Sequence, residues 1–340
     1  MFNVRLSALA LAGLSVVCSS RAVTLVEDFS TNPLAKGWKV FGNTNLFQWD
    51  STNHCLAVTW DSARPNSYFY YPLGGQFTRY DDLSVEFDLC LSDIASGMEP
   101  GKTGPLQIGI GFLNSATVTS TNFLRSAWGG APNVAEFDYY PSGYYEYGGY
   151  ITDILPTMTP SFISGINSQH YAPANLDDYE RELPTNLTAH VRLAYSAASQ
   201  TAVLTVTTNG VPVALLPGLV LNSATNSQFT AADDFRVDMF SISSYSSSGD
   251  DYNSVLAHGT VDNLVVKASF HVTGSFTAEG AWQAQVFTHT NWLYTMERTS
   301  DLKTWEPVSP TLRGTEGKLT LQDTNTLPAR AFYRVRASRP

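Results

Sequence analysis

The chain has 340 residues, of which 15 % are charged and 12 % aromatic. A formal net charge of −10 argues against a nucleic-acid partner, because an acidic surface repels a phosphate backbone. The length exceeds the ~100–200 residues of a single domain, so one large unit and one small unit are expected.

The first residues read as an export signal. Arg5 supplies a basic start, Leu6 to Val17 form a short apolar run, and Cys18-Ser19-Ser20-Arg21-Ala22 are mostly small. Residues 1–22 are therefore expected to be cleaved before Val23. Cys18 offers a lipidation alternative, which the bulk of Val16-Val17 disfavours. No later apolar run reaches the ~20 residues of a membrane span. The protein is expected to be secreted or to lie on the exterior of the cell envelope.

From Val26 to Lys267 the pattern is alternating strands punctuated by turns. The clearest strands are Leu56–Trp60, Leu83–Leu91, Leu106–Phe112, Val134–Tyr140, His190–Tyr195, Thr201–Thr207, Phe235–Ser243 and Gly259–Val266. Ser196–Gln200 makes a hairpin turn, and Asn209-Gly210 another tight turn. No segment keeps a helical period over three turns. The fold class expected is all-β, an antiparallel jelly-roll sandwich over 23–267 followed by a small β-sandwich domain over 270–340. Ser92–Pro105 and Pro141–Asp178 read as long loops, the places on a β-scaffold where binding groups concentrate. Residues 23–267 hold ten Lys/Arg against 24 acids, whereas 268–340 hold eight against six.

Alternation places Cys55 and Cys90 on outward faces of their strands. In an exported protein two such cysteines suggest a cross-strand disulfide, the alternative being two unpaired thiols.

Glu136-Phe137-Asp138 is the sharpest local feature. Residues two apart on a strand share a face, so the two carboxylates point the same way, about 7 Å apart. The segment that follows, Tyr139 to Tyr150, contains six tyrosines with interspersed glycines. Such rings stack on sugar C–H faces while carboxylates bond the hydroxyls. Glu136, Asp138, Tyr140, Tyr144 and Tyr145 are thus the candidate ligand-binding residues, expected to line an open trough. Packing of half of these tyrosines into the sandwich is the plainer alternative. Glu27 and Asp28 would neighbour Asp262 and Asn263 if the first and last strands pair, an arrangement able to hold Ca²⁺.

The succession Val134–Tyr140, Ile166-Asn167-Ser168, His190–Tyr195 with Ala202–Val206, and Phe235–Ser243 resembles the concanavalin A-like lectin/glucanase superfamily, and within it the L-type lectins. The resemblance implies a jelly roll in which the pair at Glu136 and Asp138 binds a transition metal and Ca²⁺. A position that would carry Asn is Ser142 here and no His follows at the expected spacing, which leaves Ca²⁺ on Asp138 as the implied metal. Laminarinase-type glycoside hydrolases carry Glu-x-Asp-x-x-Glu on a similar strand. Here the third acid position is Pro141, so hydrolysis would need Glu136 as nucleophile or base with Glu146 or Asp153 as its partner. Trp292–Trp305, Gly317–Asp323 and Ala331–Val335 resemble a small β-sandwich module at the C-termini of exported proteins of Verrucomicrobia type, with Trp305 expected to plug its core.

The favoured reading is a secreted carbohydrate-binding protein that meets a polysaccharide or glycan on its concave sheet. The alternatives are a polysaccharide-degrading hydrolase or lyase of the same fold, and a structural or adhesive envelope protein. The cofactor implied is Ca²⁺, and no other is expected.

Overall fold

A computed structural model describes residues 18–20, 23–125, 131–145, 149–159, 181–213, 219–221, 235–290, 292–315, 317–326, 328 and 330–338. The chain divides into two compact units, Val23–Ser269 and one that contains Phe270–Pro340.

The large unit is a sandwich of two sheets. One has the strand order Gly149–Thr159, Val134–Tyr145, Ile108–Leu113, Arg236–Ser244, Ser67–Thr78, Lys39–Phe41, and each of its neighbouring pairs is antiparallel. The other runs from Val211–Pro212 through Thr201–Thr208, Ala189–Ser196, Asp81–Ser96, Asn253–Phe270 and Cys55–Asp61 to Phe47–Asp50. Val23–Glu27 pairs antiparallel with Asn253–Phe270, so first and last strands do meet.

Period-two alternation builds the core. Leu56, Val58 and Trp60 face inward from one strand, and Val85, Phe87, Leu89 and Leu91 from another. Opposite them stand Ile108, Ile110, Phe112, Phe137, Phe240 and Ile242. The Phe87 and Phe137 rings meet edge to face at 5.7 Å across the two sheets. Trp38 stacks on Phe69 at 4.8 Å and meets Phe240 edge-on. Each such fully buried side chain contributes about 1.5–3 kcal/mol of transfer free energy. Asn209 and Gly210 both adopt positive φ, 51° and 75°, the requirement of a type I′ hairpin turn.

Two expected loops are partly strand. Asp81–Ser96 carries its strand through Ser92, leaving a shorter turn before Gly104–Pro105. The tyrosine-rich segment continues Val134–Tyr145 and returns as Gly149–Thr159. Pro141 and Ser142 fit because the register shifts between Tyr140 and Gly143, and a bulge frees a proline from donating to the ladder.

In the second unit Val272–Phe276, Trp282–Phe287 and Lys318–Asp323 form one sheet, and Leu293–Thr299 with Phe332–Ser338 centre another. In that second sheet Cys18–Ser20 runs parallel beside Tyr333–Val335. Trp282 stacks on Tyr333 at 5.4 Å in its core. Trp305 is not the plug: it is half-buried, with the Arg334 guanidinium 4.2 Å over its ring.

Candidate functional site

Val134–Tyr145 turns Ala135, Phe137 and Tyr139 into the sandwich and Glu136, Asp138 and Tyr140 to the opposite sheet face. That face is glycine-lined next door, because Gly111 stands opposite Glu136 and Gly109 opposite Asp138. A β-carbon at Gly109 would lie 2.6 Å from the Tyr245 ring and 2.9 Å from the Glu136 carboxylate. The two glycines let Tyr245 and Glu136 lie flat against the sheet.

The carboxylates do not face an open trough. Glu136 and Asp138 are both 0 % exposed, as is Arg125 above them. Arg125 Nη2 donates to Glu136 Oε1 at 2.9 Å and to Asp138 Oδ2 at 2.6 Å, and its Nε donates to Glu136 Oε1 at 3.2 Å. Tyr245 Oη donates to Glu136 Oε2 at 2.7 Å, and Thr157 Oγ1 donates to Asp138 Oδ2. The Arg125 guanidinium carbon lies 5.5 Å from the centre of the Tyr245 ring. Two buried acids need a counter-charge, and Arg125 brings it from the segment that leaves Ile108–Leu113. The expected outward pair is therefore corrected to a sealed ion triad.

Burial, then the neighbouring Asp138, raises the Glu136 carboxyl, while Arg125 and Tyr245 oppose the rise. Burial also raises Asp138, opposed by Arg125 and Thr157. Burial alone would lower the Arg125 guanidinium, but Asp138 and Glu136 outweigh it and lift it well above its ordinary value.

The other candidate residues separate. Tyr140 is 7 % exposed, whereas Tyr144 is 49 % exposed at the end of the same strand. The Tyr145 side chain and Glu146 lie outside the described residues. Among the described residues Glu136 is sealed and ion-paired with Arg125, a position that does not suit the nucleophile or base expected of it. Asp153 sits opposite Tyr140, buried, accepting from the Ile154 N–H at 2.8 Å and 3.5 Å from Arg181. Burial pushes its carboxyl from 3.8 up to about 6, against Ile154 and Arg181. The folded state thus holds a proton that the unfolded chain has released, and stability falls as pH rises from about 4 to about 6. Asp153→Asn is expected to flatten that slope by on the order of 1–3 kcal/mol, read from urea midpoints across this window. A slope that survives the substitution would assign the titration to another group.

Glu27 and Asp262 do not share a site, although their strands pair. Glu27 turns inward, holding the Lys36 ammonium at 2.8 Å, Trp38 Nε1 at 3.0 Å and the Phe29 N–H at 2.9 Å. Asp262 points to the outer face, where burial, opposed by the Asn263 N–H, raises its carboxyl. Cys55 and Cys90 are unpaired, which corrects the disulfide. Asn253–Phe270 lies between their strands, so they stand about 9–10 Å apart, beyond the ~7 Å that a disulfide spans. Both thiols line an open groove of about 410 Å³ with Asp50, Asp88, Asp262 and Asn263.

A divalent metal does not fit the acid pair. Three of its four oxygens already accept from Arg125, Tyr245 or Thr157, and Asp138 Oδ1 alone has no partner. Calcium takes six to eight oxygens. Among the described residues no group of three or more His, Cys, Asp or Glu is placed to hold a metal.

No sequence motif marks Arg125, Tyr245 or Thr157. Gly109 and Gly111 carried a readable signal: they alternate with Ile108, Ile110 and Phe112, so the face away from the core is bare.

Two sheets packed face to face, with the first and last strands paired, form a jelly-roll β-sandwich. Solved structures similar to the chain include the Lotus tetragonolobus seed lectin, at 8 % identity and a TM-score of 0.43 over 73 % of this chain and 98 % of that one. A peanut lectin bound to a 9mer peptide is similar at 12 % identity and 0.40, over 74 % and 98 %. An alginate lyase mutant in complex with an alginate trisaccharide is similar at 14 % and 0.39, over 72 % and 97 %. No family model and no curated protein matches the sequence. Among the described residues no helix is long and apolar enough to cross a membrane.

Proposed function

We propose that the chain is an exported carbohydrate-binding protein whose large unit meets a glycan at the Tyr144 end of the Val134–Tyr145 strand. The observation that carries this reading is Tyr144, a half-exposed ring on a strand whose base is fixed by the sealed triad. A sugar needs a flat apolar surface held rigidly, with little ordering cost on binding. The outer-face groove is a weaker candidate, since its lining contains acids, amides, hydroxyls and thiols but no ring. Glu136 and Asp138 act here beneath the surface, fixing the strand rather than touching sugar.

Affinity electrophoresis against neutral and acidic polysaccharides tests the reading. One of them is expected to retard the full chain, and Tyr144→Ala to weaken that retardation about tenfold, equivalent to about 1.4 kcal/mol. Free migration in every polysaccharide, or retardation indifferent to Tyr144→Ala, would remove the proposal.

A further inference from the structure

We infer that Arg125 is the resident cation of the Glu136–Asp138 pair, so that this sheet face is held together without a divalent metal. The inference is independent of any glycan and rests on the donors around the two acids.

A pair of carboxylates on same-face positions of one strand cannot be buried uncompensated. A spherical ion and a guanidinium meet that need differently. The ion gathers many oxygens around itself, whereas a guanidinium offers a planar fork of N–H groups to two acceptors. The geometry here is that of the fork. Nη2 bridges the two acids, 2.9 Å from Glu136 and 2.6 Å from Asp138, and Nε adds a second bond to Glu136.

The surroundings are shaped to the side chain. Gly109 and Gly111 leave the floor of the face bare, and their β-carbons would collide with the Tyr245 ring and the Glu136 backbone. Tyr245 presents its ring toward the guanidinium while its hydroxyl closes Glu136 Oε2, an arrangement that favours a delocalised cation. A metal entering this position would have to displace a fully buried arginine and compete with Tyr245 and Thr157 for the same oxygens. Glu27 shows the same solution elsewhere in the unit, with Lys36 as its cation.

The test uses the full chain produced in medium containing calcium, manganese and zinc. Metal content is measured by mass spectrometry after desalting, and thermal melting is followed with EDTA, with CaCl₂ and with MnCl₂. The expected result is a melting temperature that none of these moves, and no metal that depends on Asp138. Arg125→Met is expected to melt roughly 10 °C lower and to recover part of that loss when Ca²⁺ or Mn²⁺ is added, because the vacated acids then bind the ion. Metal retained equally by wild type and Asp138→Asn lies elsewhere and leaves the acid pair to Arg125. An equivalent of metal that Asp138→Asn loses, together with wild-type melting lowered by EDTA, would overturn the inference. If Arg125→Met fails to fold, the wild-type response to EDTA still decides.

Discussion

Arg125→Met is expected to destabilise the large unit by about 3–5 kcal/mol. Methionine fills much of the same volume, so the loss comes from charge rather than from an empty space. It leaves two acids at 0 % exposure, with Tyr245 and Thr157 as their remaining donors. Removing one partner of a buried ion pair costs more than removing all of them, because the desolvated charge stays behind. Combining Arg125→Met with Glu136→Gln and Asp138→Asn should therefore be milder than the single substitution. Urea unfolding of the three variants and wild type forms the comparison. A triple variant less stable than Arg125→Met would show that hydrogen bonding, not charge balance, governs the cluster.

Gly111→Ala is the second large effect, expected at about 3 kcal/mol, the upper end of overpacking losses. The added carbon would lie 2.4 Å from Glu136 Cα and 2.5 Å from the Ala135 carbonyl oxygen. These are backbone atoms of the adjoining strand, paired on both sides, so no side chain can swing away. Gly101→Ala supplies the control. Its φ of +81° strains any side chain, but nothing lies within 4 Å, and a left-handed residue costs about 1–2 kcal/mol. If the two substitutions prove equally mild in urea, the Glu136 backbone yields more readily than its pairing implies.

Much of the fold was legible because sheets write their faces into alternation. Leu56, Val58 and Trp60 alternate along their strand and are all buried; Glu136 and Asp138, two apart, share one face as their spacing predicts. Alternation tells which side a residue takes, not what lies over that side. Arg125 comes from an irregular segment with no period, so its seat over the acids left no trace in the pattern. The same limit explains Cys55 and Cys90. Both point outward as read, but the strand between them follows from the order of strands in the sheet, which local sequence does not encode. The tyrosine run misled in the other direction: its glycines and proline suggested a loop, and a bulge let the strand absorb them.

The two bonds that hold Glu136 differ in how much chain they enclose. Arg125 reaches it across 11 residues, whereas Tyr245 reaches it across 109. The entropy lost on closing a loop grows with its length, so the arginine contact can assemble while most of the chain is still unfolded. The tyrosine must wait for a distant strand to dock. Docking of that strand gives Glu136 its last donor, which couples the arrival of Arg236–Ser244 to the chemistry of a residue placed a hundred positions earlier.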